Sequence, residues 1–437
     1  MSVDELALTT ALAEVAARHG VPDARLVVHD GDRTLLAQTG SAVTDRTAFP
    51  LGSLTKPFTA TLVMTLVEDG DVDLDTSLVA YLPELADDAG VTPRLLLSHL
   101  AGLPSDVDEG EDARTREQWA AEHCRAGRLA HPPGAAFSYS NAGYLMAGRL
   151  VEAVTGMAWA DAVDTFLLRP LGIEPAFVTG PPSRRPIATG HVVHPVLAEA
   201  QPVAAEAMPA VEAPNGALAL SADDLVAFAR LHMTDPALPR PLTEDTLAAM
   251  RLDQTAGAAV GPFGLADGWG LGWALYRDGD TVWYGHDGMT DGGSCHLRFD
   301  PVRGTAVAAT TNASTGAAMW GDLVAALHEH GLSIGDYPFT TVPDGPAQEA
   351  PADCLGGYVN GGHELTVTPG DDGGLRLAID TAPHSTLSCF DDLRFAMRDL
   401  GAGRLLCVGR FLREPGATGI DLLQFTGRLA RRAAAPR

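Results

Sequence analysis

One lysine stands alone in this chain. Of its 30 strongly basic residues, every one except Lys56 is arginine. Lys56 lies three positions after a serine in the stretch Phe49-Pro50-Leu51-Gly52-Ser53-Leu54-Thr55-Lys56-Pro57-Phe58. A guanidinium keeps its charge at any accessible pH, whereas an amine can give up a proton and act as a base. At positions i and i+3 of a helix, Ser53 and Lys56 share a face, within reach of each other. Ser53 also falls where a helix should begin, after Gly52 and before the apolar run Phe58–Met64. The positive end of that helix favours negative charge developing at the serine. A helix-capping serine followed by a surface lysine is the plainer alternative, but the lysine's singularity favours chemistry. Moving a lysine from about 10.4 to about 7 costs on the order of 4–5 kcal/mol. The negative charge of the chain opposes that shift, so burial has to supply it.

Nucleophilic serine chemistry also needs a proton shuttle, a donor pair for the oxyanion and a substrate ligand. Ser138-Tyr139-Ser140-Asn141 follows Pro132-Pro133-Gly134 and opens a helix, so Tyr139 and Asn141 sit at a loop–helix junction that could face a cleft. A tyrosine hydroxyl relays protons if a nearby cation lowers its ordinary value of about 10. The bland reading is that Ser140 or Asn141 simply caps the helix. The third element, Gly285-His286-Asp287-Gly288, is expected between a strand ending at Tyr284 and one at Cys295–Phe299. The sequence does not decide whether Lys56 or Tyr139 is the base.

The elements that must position these groups follow from the pattern of the 437 residues. Helical spacing runs over residues 2–19, then two strands, Ala24–His29 and Thr34–Gln38, flank the turn Asp30-Gly31-Asp32-Arg33. From about Asp71 to Met250 the pattern is helical, with segments at Pro93–His99, Arg114–Ala126, Asn141–Thr155, Ala158–Leu168 and Ala222–Met233. Pro181, Pro182, Pro186 and Pro195 mark a long irregular crossing. Strands return at Trp269–Tyr276, Thr281–Tyr284, Cys295–Phe299 and Thr305–Thr310, then a helix at Ala317–His330. The simplest arrangement is α+β, one antiparallel sheet from both ends with a helical region inserted between. Residues 337–353 read as a linker between a unit at 1–336 and a small β-rich unit at 354–437. Strands in the latter are expected at Leu365–Val367, Leu375–Ile379, Leu393–Met397, Leu405–Phe411 and Gly419–Phe425, with a frayed tail from Arg428.

Composition excludes several classes. The net charge of −26 and the lack of a basic stripe make nucleic acid and anionic membranes poor partners. Five scattered cysteines without a C-x-x-C pair argue against a disulfide framework and a zinc site. The start Met1–Leu6 lacks a signal-peptide pattern, and no apolar run approaches the roughly 20 residues of a membrane span. A cytoplasmic protein without metal or cofactor is expected.

Ser53-x-x-Lys56, Tyr139-Ser140-Asn141 and His286-Asp287-Gly288, in that order and spacing, resemble the three motifs of class C-type β-lactamases and D,D-peptidases. The similarity covers roughly residues 10–332 and includes Leu97-Ser98-His99-Leu100-Ala101-Gly102-Leu103 and His131-Pro132-Pro133-Gly134. It implies a β-lactamase/transpeptidase-like sheet with an all-helical region, a cleft between them, and acyl-enzyme chemistry. Ser53 would be the nucleophile, Lys56 and Tyr139 proton carriers, and Asn141 a substrate ligand. His286 and Gly288 would line the substrate site, and the backbone N–H groups of Ser53 and Met289 would form the oxyanion hole. The third motif of β-lactamases usually begins with lysine; His286 matches some D,D-peptidases, esterases and peptide-cyclising relatives, and argues against efficient β-lactam hydrolysis. Residues 354–437 resemble the lipocalin-like appendage of cytoplasmic relatives such as penicillin-binding-protein-type thioesterases.

The activity implied is acyl transfer or hydrolysis on an ester, thioester or amide of a peptide-like substrate, a carrier-bound thioester and release or macrocyclisation by aminolysis being among the forms it could take. A promiscuous carboxylesterase or β-lactamase-like hydrolase is the rival within enzymes, and a catalytically silent binding or sensor module the rival outside them. If residues 354–437 roof the cleft, Arg428, Arg431 or Arg432 could pair with a substrate carboxylate.

Overall fold

The computed structural model describes residues 4–31, 33–106, 115–181, 183–194, 197, 199–233, 241–338, 341–370, 374–401, 403–414 and 416–433. Arg114, Pro182, Pro195 and residues 339–340 of the expected linker lie outside them.

Helix α1 (Glu5–Arg18) starts at Asp4, whose carboxylate accepts the Ala7 N–H at 2.8 Å, and buries Leu8, Leu12 and Val15. Strands β1 (Ala24–Asp30) and β2 (Arg33–Thr39) form the expected hairpin. After β3 (Phe49–Pro50) a 3-10 turn over Gly52–Thr55 feeds α2 (Lys56–Glu68), buried without a break from Lys56 to Leu66. A helix so uniformly buried has no solvent face over that stretch, polar Lys56, Thr59, Thr61 and Thr65 included; it is a core element. Around it pack α3 (Pro93–Leu97), α4 (Arg116–His123), α5 (Asn141–Thr155) and α6 (Trp159–Val163). A helix expected through Leu168 instead continues past Val163 as a π-helical turn, Asp164–Leu168. A small hairpin of β4 (His191–Val193) and β5 (Ala200–Pro202) precedes α7 (Ala213–Gly216). Then β6 (Ala219–Leu220) pairs back to β3, and α8 (Ala222–His232) and α9 (Glu244–Arg251) close the helical region.

The chain returns to the sheet as β7 (Gly268–Trp269), β8 (Ala274–Asp278), β9 (Thr281–Thr290), β10 (Gly293–Asp300) and β11 (Thr305–Thr311), followed by α10 (Gly316–Glu329). The sheet order is β2-β1-β11-β10-β9-β8-β7, antiparallel throughout, so strands from both ends form one sheet as expected. Two expectations change. The single strand over Trp269–Tyr276 breaks at Gly270–Gly272, where Gly272 has φ +91° and a Cβ would come within 2.4 Å of Ala60 Cβ. His286-Asp287-Gly288 is not a connection between strands but the interior of β9.

β8 pairs with β9 only as far as Gly285, so the edge of His286–Thr290 facing away from β10 is free of β8. The 51–54 turn lies against that segment. A Cβ on Gly288 would meet Leu51 O at 1.7 Å and Leu54 N at 2.8 Å; one on Gly52, which has φ +50°, would meet Met289 O at 2.4 Å. Both glycines are there because two backbones touch.

The C-terminal part is a closed eight-stranded barrel, consistent with a lipocalin-like domain: β12 (Gly356–Asn360), β13 (His363–Pro369), β14 (Leu375–Ile379), β15 (Ala382–Cys389), β16 (Arg394–Asp399), β17 (Leu405–Leu412), β18 (Leu422–Phe425) and β19 (Arg428–Arg432). Arg428–Arg432 is therefore not a frayed tail: it pairs with β18 and β12 and closes the ring. The β18–β19 link is a two-residue turn with Thr426 at φ +46° and Gly427 at φ +70°, the backbone of a type I′ hairpin. That turn docks on the β-lactamase-like part, where the Gly427 N–H donates to Phe263 O at 3.1 Å. Asn360 bridges the same junction, accepting the Ser105 N–H at 2.7 Å and donating to Leu429 O at 2.7 Å.

Gly288→Ala tests the contact between β9 and the serine-bearing turn. Forcing a methyl into backbone should cost about 1–3 kcal/mol, as overpacking does. Thermal or denaturant unfolding measures it, and an unchanged midpoint would show that the two backbones are not in contact.

Candidate active site

Ser53 occupies the 3-10 turn ahead of α2, and its side chain caps nothing. Lys56 Nζ lies 3.0 Å from Ser53 Oγ and 3.0 Å from Asn215 O, the carbonyl of a residue in α7. The lysine is fully buried, which pushes its pKa well below the ordinary value; Arg428 adds to that, while Asp106 and Glu212 oppose it. The amine is thus neutral at far lower pH than a surface lysine. Its N–H groups donate to Asn215 O and to Ser53 Oγ.

Tyr139 and Asn141 flank Ser140, which is the N-cap of α5. Its hydroxyl accepts the Gly143 N–H at 2.9 Å and donates to Pro104 O at 2.6 Å. The capping reading holds for Ser140, and the cap fixes its two neighbours. The Tyr139 ring centroid is 5.0 Å from Lys56 Nζ. Burial raises the phenol's pKa, and the Ser53 hydrogen bond and Arg428 offset only part of that. A cation is present, but burial raises the phenol by more than Arg428 lowers it, so the condition of a lowered tyrosine is not met. Asn141 donates Nδ2–H to Asp106 Oδ1 at 2.5 Å, so its Oδ1 is left as an acceptor without a partner among the described residues.

His286 is buried, and burial with the nearby Lys56 lowers its pKa to about 3. A neutral ring donates Nδ1–H to Asp287 O at 2.6 Å and turns Nε2 toward the Tyr139 hydroxyl, 3.5 Å away. Asp287 points to the other face, where Arg298 Nη1 and Nη2 contact its two carboxylate oxygens at 2.9 Å each and His296 Nδ1 sits 2.7 Å from Oδ1. This fixes β9 from behind. Gly288 admits the serine turn, and Met289 presents its side chain to solvent, 66% exposed, at the open end of the same strand.

All seven expected residues, Ser53, Lys56, Tyr139, Asn141, His286, Gly288 and Met289, thus converge. Of the three barrel arginines, only Arg428 joins them. Its Cζ lies 5.3 Å from the Tyr139 ring centroid and its Nε 3.9 Å from Asp106 Oδ2. Arg431 instead pairs with Glu414 at 2.6 Å, and Arg432 binds Ile420 O and Leu355 O at 2.8 Å each within the barrel. Sequence reasoning missed Asp106 and the Asn215 carbonyl. Neither carries a local signal: one is an acid among several, the other a backbone atom 159 positions from its partner.

Residues 8–331 match the β-lactamase family profile. Penicillin-binding protein 4 of Amycolatopsis lactamdurans is 34% identical over 359 residues, 77% of this chain and 91% of the relative. Esterase EstB of Burkholderia gladioli is 30% identical over 298 residues, 59% of this chain and 73% of the esterase. The crystal structure of SurE superposes with a TM-score of 0.86 at 40% identity, covering 98% of this chain and 99% of that one. SurE solved with D-Leu gives 0.82 over the same coverage. With the family match over residues 8–331 and this fold around a serine–lysine pair, the chain belongs to the β-lactamase family and is a serine hydrolase-type enzyme.

Proposed function

We propose that the enzyme transfers the acyl group of a peptidyl thioester or ester through a Ser53 acyl-enzyme to an amine, releasing or macrocyclising the peptide. The observation that carries this is the wholly buried Lys56 amine 3.0 Å from Ser53 Oγ. Neutral Lys56 takes the Ser53 proton as Oγ attacks the carbonyl carbon. The Ser53 and Met289 N–H groups receive the oxyanion. The C–S or C–O bond breaks, and the proton passes, by way of the Tyr139 hydroxyl, to the leaving group. The amine nitrogen then attacks the Ser53 ester, its surplus proton returns to Ser53 Oγ as that bond breaks, and an amide leaves. Between the base candidates, burial favours Lys56, which it makes neutral, over Tyr139, which it keeps protonated. Asn141 Oδ1 suits a substrate N–H, and Arg428 a substrate carbonyl or carboxylate.

In this reading residues 1–336 carry the chemistry, 337–353 link, and 354–437 complete the cleft through Arg428. The likeness to SurE, solved with D-Leu, supports a D-configured residue at the transferred acyl end. Five buried, unpaired cysteines suit a reducing compartment, which supports a cytoplasmic location. No helix among the described residues is long and apolar enough to cross a membrane. Plain carboxyl-ester hydrolysis is the second reading, favoured by the likeness to esterase EstB.

Incubation with an activated ester should add one acyl mass on the peptide containing Ser53, and an adduct that persists in Ser53→Ala would refute the nucleophile. Lys56→Arg keeps the charge but removes the titratable amine, so turnover should fall by about 10²-fold or more. Because burial lowers the lysine, wild-type acylation should rise with pH through a midpoint below the usual lysine range; a midpoint at the ordinary value would contradict a buried base.

Water stands at about 55 M, so an amine wins only when bound and oriented, where effective molarities of roughly 10⁵ M or more are reached. Peptidyl thioesters ending in a D-residue and carrying a free amine should therefore give mostly amide by mass spectrometry, and their L-terminated counterparts little product. Acid as the sole product, with fast turnover of simple esters, would move the assignment to the carboxylesterase.

A further inference from the structure

His99 carries two local costs in one residue. It sits at φ +58°, a left-handed backbone uncommon outside glycine although asparagine, aspartate and histidine adopt it more than most, and it is almost completely buried. Its Nε2 has no hydrogen-bond partner among the described residues. Unmet buried donors cost about 1–3 kcal/mol each. Strain of this kind concentrates where geometry serves function.

What His99 does with that geometry is specific. Its carbonyl accepts the Ser138 N–H at 3.0 Å, and its Nδ1 accepts the Ser140 N–H at 3.0 Å. Accepting at Nδ1 fixes the tautomer with hydrogen on Nε2. Its ring lies against the Tyr139 ring, centroids 4.3 Å apart and planes tilted by 34°. The N–H between those two, that of Tyr139, points the other way and donates to Gly427 O of the barrel turn at 3.0 Å. The left-handed backbone is what lets one residue present both its carbonyl and its side chain to the same three-residue segment. Burial and the neighbouring Lys56, His286 and Arg428 keep the imidazole neutral, so Nδ1 remains an acceptor.

We propose that His99 is a positioning residue for Tyr139, holding the Ser138–Ser140 backbone through its carbonyl and Nδ1 while its ring face sets the angle of the phenol toward Ser53 and His286. This rests on the reading of Tyr139 as the proton relay. His99 touches no reacting atom. It acts by keeping the phenol within hydrogen-bonding reach of groups that must exchange a proton.

Two near-isosteric variants separate positioning from packing. His99→Asn tolerates the left-handed backbone and places an amide oxygen close to where Nδ1 was. His99→Gln fills more of the space but carries its polar atoms further out, near the Nε2 position. Steady-state turnover of an activated ester is measured for both, with Tyr139→Phe alongside. The expected result is a fall in kcat of about 10²-fold for His99→Gln at unchanged KM, the scale of a misplaced group. His99→Asn should recover most of that loss, although it buries less. Equal kcat in the two variants, at whatever level, would overturn the proposal, since packing alone would then explain His99. A silent Tyr139→Phe would remove the relay reading and this inference together. A crippled Tyr139→Phe beside an unimpaired His99→Gln would remove this inference alone.

Discussion

The site depends on one desolvated amine. A lysine ammonium loses several kcal/mol of hydration when it is taken out of water, and Lys56 is entirely out of it. The protein tolerates this because the amine gives up its charge rather than finding an anion. Its hydrogen-bond partners are a hydroxyl and a carbonyl, both neutral. An ion pair would have restored the ordinary pKa and removed the base. The surroundings are built accordingly: α2 is buried along eleven successive residues from Lys56 to Leu66, and α5 and α7 cover it. An arginine cannot follow this route, so position 56 calls for lysine.

Neutrality spreads outward from that amine. Burial favours the uncharged imidazole at His286 and the protonated phenol at Tyr139. The cation moves instead to Arg428, which enters from the barrel and stands over the Tyr139 ring. Tyr139 is therefore assembled from three distant parts of the chain. His99 holds its flanking N–H groups, the Gly427 carbonyl holds its own, and Lys56 lies against its ring. Thr426 and Gly427 take up a type I′ turn so that a tight hairpin, rather than a loose loop, reaches this position. A barrel fastened at such a point contributes to the geometry around Tyr139.

How much of this was legible in the sequence depends on how local the cause is. Ser53 and Lys56 are three residues apart, and their contact follows from helical spacing alone. Helix α5 was readable to the residue because Ser140 caps its start and Gly156, at φ +68°, ends it. The Gly285 and Gly288 pair misled, since glycines beside His-Asp suggest a turn. They are inside β9 because Leu297 O and Leu51 O press on them from neighbouring backbones, a tertiary fact with no local trace. Arg428–Arg432 looked like a solvated basic tail because three of five residues are arginine. The strand exists because β12 and β18 offer it edges on both sides, with Leu429 and Ala430 buried between. The barrel's other unforeseen strands, Gly356–Asn360 and Ala382–Cys389, likewise owe their form to ring closure rather than to their own propensity.

The lowered lysine also bears on which acyl donors the proposed cycle can use. After acylation the Ser53 proton rests on Lys56 and must leave before an amine can attack, because the attacking amine sheds a proton of its own. A thiol leaving group has an ordinary pKa of about 8.5, and a lysine one of about 10.4. At those values the lysine would retain the proton, the thiolate would depart bare, and the enzyme would face the amine without a base. Burial lowers Lys56, which narrows that gap and favours passing the proton to the thiolate in the proposed cycle. Alkoxide and amide leaving groups are far more basic and take the proton from either form of lysine. A depressed lysine thus matters more for thioesters than for esters and amides. Within the proposed cycle, the buried Lys56 thus supports a thioester as acyl donor.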